Sequence, residues 1–255
     1  MILRPVDRLA INILYRNYHP GFTGFHGKGL FSSSAGDNIK GIFGNFTFEA
    51  ARHLFISGGS DLRYYPWLKY RCSAPSMGVS REIRVKFLPS DKITIETAYN
   101  YRMTTLNRQV IYGIEKQENL TSRSVKGVIR YSPVDNLKFV TRMDYKVTQP
   151  GTNTGMLLLQ DFNFRFRKDV SIWFRYCIFK TDNWDSRLYT YENDLLYNFS
   201  IPALSGEGNR SYIMLAWEAA GFADVRLKYA YTGLMQNRNY ATETKELKVQ
   251  FRMWF

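Results

Sequence analysis

The chain is poor in the residues that build compact chemical sites. It has 2 cysteines and 3 histidines in 255 residues. Cys72 and Cys177 are too few and too plainly placed for a metal site, and no disulfide between them is expected. No apolar run approaches the twenty residues of a membrane-crossing helix, which excludes a helical membrane protein. The mean hydropathy of −0.33 does not exclude crossing by strands, because such strands are apolar on one face only. Helical spacing is nowhere competitive with a period of two. Acids are also in deficit, so the net charge is +13. Finally, no charged leader, apolar stretch and small-residue cleavage site precede Pro5-Val6-Asp7. An exported chain needs such a signal, so the sequence is expected to be the C-terminal portion of a longer one.

What the chain does have is alternation. At its end Leu247, Val249, Phe251, Met253 and Phe255 alternate with Lys248, Gln250 and Arg252. A period-two strand closing on an aromatic resembles the C-terminal insertion signal of bacterial outer-membrane β-barrels, carried here by Phe251, Met253 and Phe255. The pattern recurs upstream. Leu9, Ile11, Ile13 and Tyr15 oppose Asn12 and Arg16, and Phe46 and Phe48 end the next strand. Leu54, Ile56, Leu62 and Tyr64 oppose Asp61 and Arg63; Ile83, Val85 and Phe87 oppose Glu82, Arg84 and Lys86. Further strands fall near 93–102, 125–131, 137–146, 156–166, 172–176, 211–218 and 224–231. With the terminal one they make about twelve, plus the tail of another before Pro5.

The connections alternate in length. Short turns occur at 5–7, 89–91, 133–136 and 167–169, and polar loops are expected at 19–37, 65–78, 104–122 and 148–154. Short periplasmic turns and longer external loops are the habit of outer-membrane barrels. Parity of strand direction then requires 181–210 to be one large extracellular excursion with room to bend into the mouth, although Tyr189 to Phe199 itself looks strand-like. Aromatics are abundant, with 18 Tyr, 18 Phe and 5 Trp, the supply that interfacial girdles need. The fold class expected is all-β, an antiparallel transmembrane β-barrel present as a C-terminal portion over residues 1–255.

Charge falls on the face opposite the apolar positions. That face carries Arg16, Arg84, Lys86, Arg102, Lys126, Arg130, Arg142, Lys146, Arg165, Arg167, Arg175, Arg226, Lys228 and Arg252, with Arg63, Lys138 and Lys248 beside them. Asp61, Glu82, Glu96, Asp144, Asp161 and Glu246 are the acids in register. Two readings follow. Arg–acid ladders brace barrel walls; alternatively, a lumen lined with one sign of charge concentrates a polyanion, whether phosphate backbone, anionic sugar or acidic polypeptide. Arg81 alone falls on the apolar face, where proximity to a strand end would let it reach the headgroups.

Few motifs carry chemistry. Gly21, Gly24, Gly27 and Gly29 around His26 and Lys28 lack the strand-to-helix context of a phosphate loop and read as an external loop. His19 is the one histidine placed for a lipase-like arrangement, and no catalytic residue, cofactor or metal is expected. The densest cluster is Asp182, Asp185, Arg187, Tyr189, Tyr191, Glu192 and Asp194. A self-satisfied hydrogen-bonded loop is the leading reading. A calcium site lacks the EF-hand spacing, and contact with a partner or substrate is the third.

The stretch from Asp182 through Ser200-Ile201-Pro202-Ala203 to Arg210, with Leu14-Tyr15-Arg16-Asn17-Tyr18, Tyr65-Pro66-Trp67-Leu68-Lys69-Tyr70 and Ala74-Pro75-Ser76, resembles a known family. These are the Bacteroidota outer-membrane barrel proteins with helix-hairpin-helix repeats near the N-terminus. The resemblance implies an outer-membrane barrel joined to small DNA-binding modules, as in competence-type DNA receptors. The repeats themselves are not in this sequence, so no DNA-binding residue carries over. The expected function is a pore or passage for a polyanion, DNA uptake being its named form. The alternative is a non-transporting scaffold subunit of an outer-membrane secretion, assembly or nutrient-uptake complex. Expected partners are outer-membrane lipid, the barrel assembly machinery, a nucleic acid or other polyanion, and other outer-membrane subunits.

Overall fold

The structure, a computed structural model, describes residues 2–22, 38–111, 114–167, 169–236 and 239–254. Its strands are β1 (Ile2–Val6), β2 (Leu9–Tyr18), β3 (Ile39–Ala51), β4 (Leu54–Tyr65), β5 (Ser76–Ser90), β6 (Ile93–Ile111), β7 (Ile114–Val134), β8 (Leu137–Gln149), β9 (Asn153–Arg165), β10 (Val170–Thr181), β11 (Leu188–Tyr189), β12 (Ala203–Leu204), β13 (Glu207–Ala220), β14 (Ala223–Gln236) and β15 (Asn239–Met253). Thirteen form one antiparallel sheet in the order β1 to β10, then β13, β14 and β15. β11 and β12 pair only with each other. The strand total matches the twelve and a tail read from alternation. β1 and β15 end the order, each with one neighbour.

Two expected loops differ in the structure. Residues 104–111 and 114–122 belong to β6 and β7, which are 19 and 21 residues long. Their polar residues mask the alternation, but threonine, valine and isoleucine among them favour extended backbone. The connection expected at 148–154 shrinks to Pro150-Gly151-Thr152, because β8 runs to Gln149 and β9 begins at Asn153. Gly151 and Thr152 both take positive φ there. The loop after β4 occupies 66–75 and holds an isolated bridge between Lys69 and Cys72. The glycine-rich segment with His26 and Lys28 lies outside the described residues, as does Phe255.

The chain divides into two compact units. One comprises Met1–Lys86, Ala98–Ser124 and Thr148–Gly151; the other comprises Phe87–Thr97, Val125–Val147 and Thr152–Phe255. In the first, register sets Ile11 opposite Phe46 and Tyr15 opposite Ile42, so the apolar rows coincide. The polar face runs beside them. Asn12 donates to Asn45 at 2.8 Å, and buried Arg16 pairs with Asp61. Gly41 sits opposite Arg16. A Cβ at Gly41 would lie 2.4 Å from the Leu62 carbonyl and 3.0 Å from Arg16 Nε; only glycine lets the guanidinium lie across the strand here.

In the second unit, β10 carries β9 on one side and β13 on the other, followed by β14 and β15. Its apolar face carries Leu227, Tyr229, Leu247, Val249 and Phe251, all exposed. Tyr131, Phe139, Phe162, Phe164 and Phe166 form a ladder across β7, β8 and the end of β9, with ring centroids 5.5 to 6.3 Å apart.

The Arg16 pair sets the first prediction. Arg63 Nε is 3.7 Å from Asp61, too distant to replace Arg16. Arg16→Met should lower unfolding stability by about 3 kcal/mol, and Arg16→Met with Asp61→Leu should regain most of it. Denaturant midpoints of the two variants measure this.

Candidate functional site: a strap on the basic face

Between β10 and β13, residues 182–206 leave the sheet and return. This insertion lies within the 181–210 stretch set apart by strand parity, and it folds back onto the polar face of its own unit. Its neck is closed by hydrogen bonds between Thr181 and Gly206, 2.8 Å in each direction. Asp182 fixes the exit by accepting from the Thr154 amide at 2.6 Å and its hydroxyl at 2.8 Å. These bonds hold its carboxyl below the ordinary range. A 3-10 turn follows at Trp184–Ser186, closed by a reciprocal Asn183–Ser186 capping box. Ser186 presses on β9 so closely that a Cβ at Gly155 would lie 2.3 Å from its carbonyl oxygen.

The strap then crosses the face over which the sequence places the cations. Lys146 Nζ donates to the Asp185 and Arg187 carbonyls at 2.7 and 3.2 Å. Arg142, paired with Asp144, also donates to the Tyr189 carbonyl at 3.1 Å. Arg175 holds Asp161 with two nitrogens at 2.5 and 2.7 Å and the Tyr191 carbonyl with a third at 2.5 Å. Backbone carbonyls of an irregular segment need donors, and these long basic side chains supply them. Tyr189 to Phe199 is strand-like by composition, yet only Leu188–Tyr189 pair, with Ala203–Leu204, and Glu192 bridges Ser200.

Glu192 is the centre of the arrangement. Its side chain is fully buried and is held by Arg210 at 2.6 and 2.8 Å and by Lys228 at 3.2 Å. Lys228, itself 1% exposed, also lies 3.4 Å from Asp194, which Lys248 meets at 2.9 Å. Burial pushes both carboxyls up; the Arg210, Lys228 and Lys248 partners outweigh it and hold both below the ordinary carboxylate range. Tyr212 packs beneath, its hydroxyl 3.3 Å from Asn193 and its ring 4.8 Å from Lys228 Nζ. Gln250 completes the seat by accepting from the Leu196 amide at 2.8 Å.

Apolar contact reinforces the polar one. Leu188 and Leu204 of the strap bury themselves on Leu157, Leu159, Cys177 and Phe179. Both cysteines are free thiols. Charge alternation missed this patch, but a signal was present: Met156-Leu157-Leu158-Leu159 and Cys177-Ile178-Phe179 are apolar on both faces, the mark of a strand covered on both sides. Arg210, also missed, lies in register with Tyr212 and Met214 and so faces the same way.

The basic residues therefore fall into two groups. Arg16, Arg84, Arg130, Arg142, Arg175, Arg226, Lys228 and Arg252 make ion pairs with acids, and Lys146 is engaged by strap carbonyls. Lys86, Arg102, Lys126, Arg165 and Arg167 make no ion pair with a described residue. In the loop cluster, Arg187 stacks on Trp184 at 4.6 Å and donates to the Tyr189 hydroxyl at 2.5 Å. Tyr191 stacks with Phe199 at 5.6 Å. Among the described residues no group of His, Cys, Asp and Glu converges as a metal site. His19 Nδ1 lies 2.9 Å from the Pro20 carbonyl and His53 meets Arg52 at 3.1 Å.

Two outcomes are expected. Glu192→Gln leaves Arg210 without its paired carboxylate and Lys228 with Asp194 alone, weakening the strap by about 3 kcal/mol; limited proteolysis should cut within 187–201 in the variant and spare the parent. Acid should do the same. Because Glu192 and Asp194 have folded values below their unfolded ones, their contribution is complete above the unfolded values. It is lost as pH falls through the depressed folded values, so proteolytic protection should hold above about pH 5 and decline progressively only below about pH 4.

No family model and no curated protein matches this chain.

Proposed function

We propose that the chain forms the wall of an outer-membrane β-barrel whose polar lumen is braced and covered by its own strap. It acts as a non-transporting scaffold subunit of an outer-membrane complex. The observation that carries this reading is the engagement of Lys146, Arg142, Arg175, Lys228 and Lys248 by strap groups. A lumen lining kept for a passing polyanion would leave those cations free. The exposed apolar face with its aromatic ladder is the surface that lipid would cover. Phe251 and Met253 stand exposed on it. No catalytic role is proposed.

A second reading has its own support. Lys86, Arg102, Lys126, Arg165 and Arg167 remain without an ion pair among the described residues, and they would serve a polyanion path, DNA uptake included, in line with the family resemblance. Conductance in planar lipid bilayers separates the two. The intact protein should insert without steady conductance, and replacing 184–203 by a short Gly-Ser linker should open an anion-selective conductance. Steady conductance by the intact protein, blocked by short DNA duplexes and relieved in Lys126→Glu with Arg165→Glu, would instead establish the passage.

A further inference from the structure

The apolar face of the Met1–Lys86 segment is interrupted by a trough. Two cross-strand rows define it: Ile13, Gly44 and Ser60 in one, Ile11, Phe46 and Gly58 in the other. Three of the six positions are glycine or serine, so the surface is indented where neighbouring rows are filled. The Phe46 ring leans across Gly58, where a Cβ would come within 2.7 Å of its edge. Arg81 and Ile83 of β5 also line the depression, whose volume is about 430 Å³, a size ordinary for a ligand site.

Arg81 gives the trough a chemistry. Its expected place near a strand end is corrected by the structure: it lies inside β5 (Ser76–Ser90), between Val79 and Ile83 on the apolar face, and its side chain makes no hydrogen bond or ion pair with a described residue. Its neighbours Glu82 and Arg84 alternate to the opposite face and pair with each other at 2.7 Å. The contrast with Lys180 is informative. That cation also stands on an apolar face, beside Ile178, but Glu207 neutralises it at 2.8 Å. An arginine left unpaired on a face that meets lipid is costly unless an anion comes from the lipid itself.

We propose that this trough binds one acyl chain of an anionic phospholipid, with the Arg81 guanidinium taking the phosphate. The proposal rests on the reading of this face as lipid-facing. Ile11, Ile13, Phe46 and Ile83 supply apolar walls, and Gly44 the depth for a chain to lie against backbone. The planar guanidinium offers paired donors to phosphate oxygens.

Native mass spectrometry of the delipidated protein in mild detergent tests it, with dioleoyl phosphatidylglycerol, dioleoyl phosphatidylcholine and inorganic phosphate as probes. One phosphatidylglycerol per chain should be retained with a preference of about tenfold or more over phosphatidylcholine. Inorganic phosphate should neither bind detectably nor displace the lipid. Arg81→Gln should abolish the preference, and Arg84→Gln on the opposite face should keep it. Gly44→Leu should exclude the chain, since a Cβ there meets nothing closer than the Asn12 carbonyl at 3.8 Å and the longer side chain fills the trough. Equal retention of the two lipids, an unchanged preference in Arg81→Gln, or displacement by phosphate would overturn the proposal. Liposome flotation of the same preparation reports membrane insertion separately: a protein that inserts but shows no Arg81-dependent preference refutes the lipid site alone, and one that fails to insert refutes the lipid-facing reading beneath it.

Discussion

Glu192 is buried between two cations on strands β13 and β14, and the second unit is arranged around keeping it so. An unpaired carboxylate at that depth would cost several kcal/mol, and so would either cation without it. The pair of Arg210 and Lys228 therefore commits the strap to one position. Asp194 with Lys248, and Leu196 with Gln250, extend the same contact along the sheet toward β15. Leu188 and Leu204 add apolar burial near the strap's two ends. Polar pairs fix where the segment lies; the leucines contribute the area that makes lying there favourable.

The same constraint accounts for the excess of basic residues. A segment without regular structure brings carbonyls that no ladder satisfies. Arginine and lysine are long enough to reach them from a sheet while also holding an acid, as Arg175 does with Asp161 and the Tyr191 carbonyl. Net positive charge on the sheet is thus in part the complement of a strap that carries acids and exposed carbonyls. Arg16 with Asp61 in the first unit shows the simpler version, a pair between side chains of the sheet itself.

Much of the fold was legible because a period of two survives wherever one face is apolar. Alternation at 9–15, 137–145 and 247–253 named both the strands and their faces. It failed at 104–122, where polar residues occupy both sides of long strands, and at 189–199, where strand-like composition belongs to a segment held by side chains. The cations of the site were legible as a set, but their division into paired and unpaired was not, since register between distant strands decides whether Lys228 meets Glu192 or water. The seat of the strap was readable in principle from Leu157, Leu159, Cys177 and Phe179, apolar residues on a face that is otherwise charged.

Hydrogen–deuterium exchange of the unaltered protein in lipid nanodiscs tests the docked strap most directly. The Glu192 amide donates to the Ser200 carbonyl and the Leu196 amide to Gln250; both should exchange slowly at neutral pH, comparably to amides of the adjoining β13 and β14. Exchange across 189–199 at the rate of an unstructured surface loop would contradict the account, because a strap seated on Arg210, Lys228 and Lys248 cannot leave those amides open.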